Sequence, residues 1–130
     1  MQKKLLTSIL SAALFLSVAF VQADMETETP EQGLSEIVEL YKSQDWETLV
    51  RNRCLDSKHA ESEAALQALI ASVSRQFSDK DLREAIVSSY EAALKSKPRI
   101  EAEGTVAIFS CDLGSVKLSK MDSGVWGLRF

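Results

Sequence analysis

Pro98 divides this chain into two rhythms. Before it, apolar residues recur at helical spacing; after it, they alternate. A proline cannot continue a helix, because it lacks an N–H and its ring collides with the preceding turn. The division predicts an α+β fold: about four N-terminal helices packed on a small C-terminal antiparallel sheet of three or four strands.

The helical part carries its own punctuation. Thr29-Pro30-Glu31-Gln32 reads as a start, with Thr29 as cap, Pro30 at the first helical position and Gln32 completing a capping box. Leu34, Ile37, Val38 and Tyr41 follow as one apolar stripe. Ser43-Gln44-Asp45 interrupts it. Asp45 then caps a short second helix bearing Trp46, Leu49, Val50 and Cys54, which ends near Leu55-Asp56-Ser57. A third helix is predicted from about Ala60 to Phe77, with Leu66, Leu69, Ile70, Val73 and Phe77 as its buried stripe. Ser78 restarts the chain with Asp81 as capping-box partner. The fourth helix carries Leu82, Ile86, Tyr90 or Ala93, and Leu94, and Lys95 and Lys97 suit the negative end of its dipole.

Beyond Pro98 the residues are those of strands. Thr105 to Cys111 sets Val106 and Ile108 on one face and Ala107, Phe109 and Cys111 on the other, which predicts a central strand covered on at least one side. Asp112-Leu113-Gly114 reads as a turn. Val116 to Lys120 and Val125 to Phe130 form a hairpin around Met121-Asp122-Ser123-Gly124, and Ile100 and Ala102 add a further short strand.

The alternation of Trp126, Leu128 and Phe130 is also how the last strand of an outer-membrane barrel reads. Such a barrel needs at least about eight strands of about 9–11 residues. Capped helices occupy two-thirds of this chain, and an open sheet edge in lipid would leave N–H and C=O groups unpaired. The terminal aromatic residues are therefore read as core.

The N-terminus reads as a secretory signal. Lys3 and Lys4 precede an apolar run from Leu5 to Phe20, and Val21-Gln22-Ala23 sets up cleavage between Ala23 and Asp24. This makes residues 1–23 a signal peptide and 24–130 a single domain, with 24–28 a mobile polar leader and the periplasm, or secretion beyond it, as destination. No membrane insertion is expected after cleavage. Lys3 and Lys4 leave with the signal, so 13 basic residues stand against 19 acidic ones, a net charge of −6. Such a surface repels phosphate backbones, so nucleic acid is not expected as a partner.

Two cysteines remain in an oxidising compartment. A Cys54–Cys111 disulfide is the expectation, closing a loop of 57 residue steps. In the chain-entropy picture that bridge is worth about 4 kcal/mol. The other reading is two buried thiols that never meet. No Cys-x-x-Cys pair is present to support redox catalysis.

Two stretches, "Leu-Tyr-Lys-Ser-Gln-Asp-Trp" from Leu40 to Trp46 and "Val-Lys-Leu-Ser-Lys-Met-Asp-Ser-Gly-Val-Trp-Gly-Leu" from Val116 to Leu128, carry a resemblance. With helices first and a hairpin last, the order resembles small exported members of the nuclear-transport-factor-two-like superfamily. The resemblance implies helices packed on the concave side of a curved sheet. Enzymes of that family use an Asp or His dyad inside the enclosed cone; no residue here aligns with one, so no catalytic residue is carried over.

The residues themselves offer no convergent catalytic set. His59 is the one histidine, too few for a zinc site, and sits where a loop meets a helix. No Gly-x-Ser-x-Gly elbow is present. Asp79 and Asp81 suit a helix start, Arg51 and Arg53 a helix end, and Glu101 and Glu103 an edge strand. Neither metal nor cofactor is called for. If a pocket exists, its wall is expected to combine Tyr41, Trp46, Phe109, Trp126 and Leu128, residues whose first role is core. The expectation is a non-enzymatic periplasmic domain that binds a protein or small ligand, in the manner of an inhibitor or immunity protein. The alternative is a small hydrolase or isomerase working in a pocket between helices and sheet, which requires a buried carboxylate of raised pKa.

Overall fold

The computed structural model describes residues 27–130 other than 112 and 113. The segment read as a signal peptide, the first three residues of the leader and Asp112-Leu113 of the predicted turn lie outside the described residues. Helix α1 spans Pro30–Ser43, α2 Trp46–Arg53, α3 Glu63–Gln76 and α4 Lys80–Ala93. Strands β1 (Arg99–Glu101), β2 (Val106–Cys111), β3 (Gly114–Lys120) and β4 (Trp126–Gly127) follow. The helices precede a four-stranded antiparallel sheet of order β1-β2-β3-β4, the α+β arrangement the two rhythms predict.

Caps set the helix boundaries. Thr29 Oγ1 accepts the Gln32 N–H at 3.1 Å while Gln32 Oε1 accepts the Thr29 N–H at 2.9 Å, the reciprocal box the sequence announces. Asp45 caps α2 through the Thr48 N–H. Helix α3 starts three residues later than its apolar stripe suggests, because Ser62 supplies the cap to the Ala65 N–H. At α4 the cap is Asp79, not Ser78: its carboxylate accepts the N–H groups of Asp81 and Leu82. The Ser78 hydroxyl instead donates back to the Arg75 carbonyl and closes α3.

One face of the sheet is dry. Ala107 and Phe109 of β2 stand opposite Leu118 and Val116 of β3, and all four are buried. Helix α4 covers β2 and β3, α1 packs against α4 and β4, and α2 lies between α1 and α3. Tyr41 is the hub of an aromatic cluster, with its ring centroid 5.5 Å from Trp46, 5.2 Å from Phe77, 5.7 Å from Tyr90 and 6.5 Å from Phe130. Trp126 and Leu128 are buried and Phe130 is half-buried against this cluster, so the alternating end of the chain serves the core. Helix α3 is the peripheral member: Val73 and Phe77 are buried, but Leu66, Leu69 and Ile70 of the same stripe are only half-covered. Among the described residues no helix is long and apolar enough to cross a membrane.

The predicted disulfide is absent. Cys54 and Cys111 are free thiols. Cys54 caps the end of α2, where its backbone bridges to Leu128; Cys111 lies at the far end of β2.

Candidate functional site

The unusual feature of the sheet is the shortness of β4. A hairpin pairing β3 with residues up to Phe130 is what the alternation predicts. Only Ser119↔Gly127 and Lys120↔Trp126 form. After Gly127 the chain takes a different partner: the Leu128 N–H donates to the Arg53 carbonyl at 2.8 Å, and the Leu55 N–H donates to the Leu128 carbonyl at 3.0 Å. Residues 53–55, at the exit of α2, thus form a parallel bridge to the outward-facing main chain of Leu128, while pairing with β3 stops at Gly127.

That departure leaves main-chain groups of β3 without a strand. The Lys120 N–H donates to the Thr105 carbonyl, which fixes the alternation along β3. Residues 114, 116, 118 and 120 direct their N–H and C=O toward β2, and Ser115, Lys117 and Ser119 direct theirs to the opposite side. Ser119 meets Gly127 there. Among the described residues, Ser115 and Lys117 meet no strand.

A cleft of about 450 Å³ opens along this edge. Lys58, Lys117, Lys120 and Arg129 supply its charge, and among the described residues no carboxylate lines it. Ser115, Ser119 and Tyr90 add hydroxyls, and Leu55, Val116 and Leu128 form its apolar side. Arg129 is held by Asp56 at 3.2 Å, and the Lys120 ammonium stands 5.7 Å from the centroid of the Trp126 ring. Lys58 and Lys117 have no carboxylate partner among the described residues. Four cations with no lining anion among the described residues stand out in a chain of net charge −4.

A second cleft of about 480 Å³ lies on the other side of Lys58 and Lys120, between α1, α2 and the turn after β3. Its two arginines are already engaged, and carboxylates stand among its lining residues. Arg51 binds Glu47 and Glu63, and Glu36 and Asp122 line the same cleft. Its floor is Arg53, which grips Glu28 at 2.6 and 2.9 Å and donates to the Trp126 carbonyl at 3.0 Å. Arg53 is only 8% exposed. Dipole complementarity at the end of α2 does not describe it: Arg53 is the far end of the Trp46, Leu49, Val50 stripe and points into the protein. That spacing, three residues beyond Val50 on the apolar face, was the signal for its role.

The partner of Arg53 corrects a second expectation. Glu28 belongs to the folded unit rather than to a mobile leader. Its carboxylate accepts the Trp126 N–H at 2.9 Å and its carbonyl accepts the Trp126 indole N–H at 2.8 Å. Burial pushes the Glu28 carboxyl up, but the Arg53 guanidinium and the Trp126 N–H outweigh burial and hold it below the usual carboxylate range.

The five residues expected to wall a pocket do not converge on one. Tyr41, Trp46, Phe109, Trp126 and Leu128 are all buried in the core, where Phe109 fills the space beneath α4. Leu128 alone of the five reaches the β3-edge cleft. His59 is exposed at the end of the 3₁₀ turn Leu55–His59. Asp79 and Asp81 serve the start of α4, and Glu101 pairs with Arg99 on β1 at 2.7 Å. Among the described residues no group of His, Cys, Asp and Glu is arranged to hold a metal ion. No protein-family model, curated protein or solved structure matches this chain.

Proposed function

We propose that this protein is an exported, periplasmic, non-enzymatic binding domain whose ligand site is the cleft along the open edge of β3. One observation carries the reading: among the described residues, Lys58, Lys117 and main-chain groups of β3, all without protein partners, share a single cleft on an otherwise acidic chain. Unsatisfied polar groups of that kind are what a ligand engages. The signal-like N-terminus supports export. The hydrolase or isomerase reading asks for a buried carboxylate of raised pKa, and Glu28, tucked against Arg53, is shifted the other way.

The test is capture from a periplasmic extract with the mature chain as bait, alongside a Lys58→Glu/Lys117→Glu variant whose fold is checked by circular dichroism. A partner retained by the native chain and lost by the variant is the expected result. Capture that does not depend on the two lysines overturns the assignment of the site.

A further inference from the structure

We infer that the ligand of the β3-edge cleft is an acidic polypeptide segment that binds in extended form, as an added strand beside β3. The inference rests on the reading of this cleft as the ligand site, and it turns on what the cleft offers besides charge.

A compact anion answers only half of that chemistry. Phosphate or a small carboxylate satisfies the ammonium groups of Lys58 and Lys117, but it brings no donor for the Ser115 and Lys117 carbonyls. Those carbonyls face the same opening as their own N–H groups. A peptide backbone carries both a donor and an acceptor at each residue and meets both needs at once. A neighbouring strand runs about 4.8 Å away, the position that β4 abandons after Gly127.

The side chains around the edge specify the segment. In a paired strand, the residue opposite Lys117 projects to the same face as Lys117, and its neighbours project to the other. On the first face stand Ser115, Lys117 and Ser119, which suit Asp or Glu. On the second stand Val116, Leu128 and the Tyr90 ring, which suit an apolar side chain. The structure therefore asks for alternating acidic and apolar residues over a short stretch. A second copy of the chain fits badly, since pairing two β3 edges crowds both copies of Lys117 onto one face, and edge lysines guard against that association.

The test uses the mature chain and a capped seven-residue peptide of alternating glutamate and valine, labelled for fluorescence anisotropy. Two further peptides are N-methylated at alternate amides, one set in each register, and inorganic phosphate serves as the compact anion. Strand addition expects the native peptide to bind, one methylated register to fail and the other to survive. Lys117→Glu and the milder Lys117→Gln should both weaken binding, the former by about tenfold or more. If both methylated registers bind as well as the parent, or phosphate displaces the peptide completely at millimolar levels, strand addition is wrong while an anion-binding cleft stands. If the peptide does not bind and extract capture still depends on Lys58 and Lys117, the acidic-strand inference again falls alone. If extract capture ignores those lysines, the cleft itself is the wrong site. A concentration-dependent dimer disrupted by Lys117→Glu would replace the peptide with a second copy and overturn the inference.

Discussion

Glu28 and Arg53, 25 positions apart, form a two-pronged ion pair that ties the approach to α1, the end of α2 and the final strand to one another. The same carboxylate accepts the Trp126 N–H, and the same guanidinium donates to the Trp126 carbonyl. Three segments that share no local pattern are joined through these few atoms.

Removing one side of this pair leaves the other buried and uncompensated. Glu28→Ala should lower the unfolding free energy by about 3 kcal/mol, the low end for a broken buried pair because some solvent reaches it. Replacing both partners, with Glu28→Leu and Arg53→Met, should recover much of that loss, since an apolar pair leaves no stranded charge. Urea titrations of the three proteins test this; a double variant less stable than Glu28→Ala would refute the argument.

Acid should attack the same joint. The folded-state pKa of Glu28 lies below its ordinary value of 4.5, so its contribution is complete above about that pH and is lost as pH falls through the folded value. Glu63, lowered to about 2 by hydrogen bonds from Arg51 and Gln67, acts in the same direction over 4.5 to about 2. Glu63 is fully exposed, so salt should erase its part and spare that of Glu28. Thermal melts between pH 6 and pH 3, at low and high salt, should show a stability loss that Glu28→Gln largely removes.

Two glycines are fixed by close approach. A Cβ on Gly127 would stand 2.6 Å from both the Arg53 carbonyl oxygen and the Met121 sulfur. Gly127→Ala should cost about 2 kcal/mol by forcing β4 off the exit of α2. In the interior of α1, Gly33→Ala would gain about 1 kcal/mol of helix propensity if space allowed. Its Cβ instead meets the Trp126 Cβ at 2.8 Å and Glu28 Oε1 at 3.0 Å, so a net loss of about 1 kcal/mol is expected. A stabilised Gly33→Ala protein would show that Trp126 has room to retreat.

The thiols should behave as two independent groups. Reductant should leave the melting temperature unchanged, and alkylation in denaturant without reductant should label both cysteines. In the native protein, label should reach half-exposed Cys111 before buried Cys54, whose thiol burial pushes up. Peptide mapping by mass spectrometry reads all three outcomes, and a crosslinked Cys54–Cys111 peptide would overturn the assignment.

Much of the fold is legible in the sequence because its signals are local. The box at Thr29, the cap at Asp45, and the change of period at Pro98 each act over a few residues and need no distant partner. Alternation in β2 likewise sorts its residues into two faces, and the structure shows that the face of Ala107 and Phe109 is the dry one. Local signals mislead where two of them compete, as at Ser78 and Asp79, where the carboxylate takes the new helix and the hydroxyl closes the old one.

What only the tertiary structure decided depends on residues far apart in the chain. Whether Cys54 meets Cys111 depends on where α2 ends relative to β2, which no spacing encodes. The length of β4 is likewise a tertiary outcome: pairing with β3 stops at Gly127 while Leu128 bridges to Cys54, and the cleft lies along the edge left open. The sequence determined the elements and their buried faces, because periodicity and capping are short-range. Assembly determined the free edge and its lysines, because main-chain pairing between strands is won by whichever segment the packed helices bring closest.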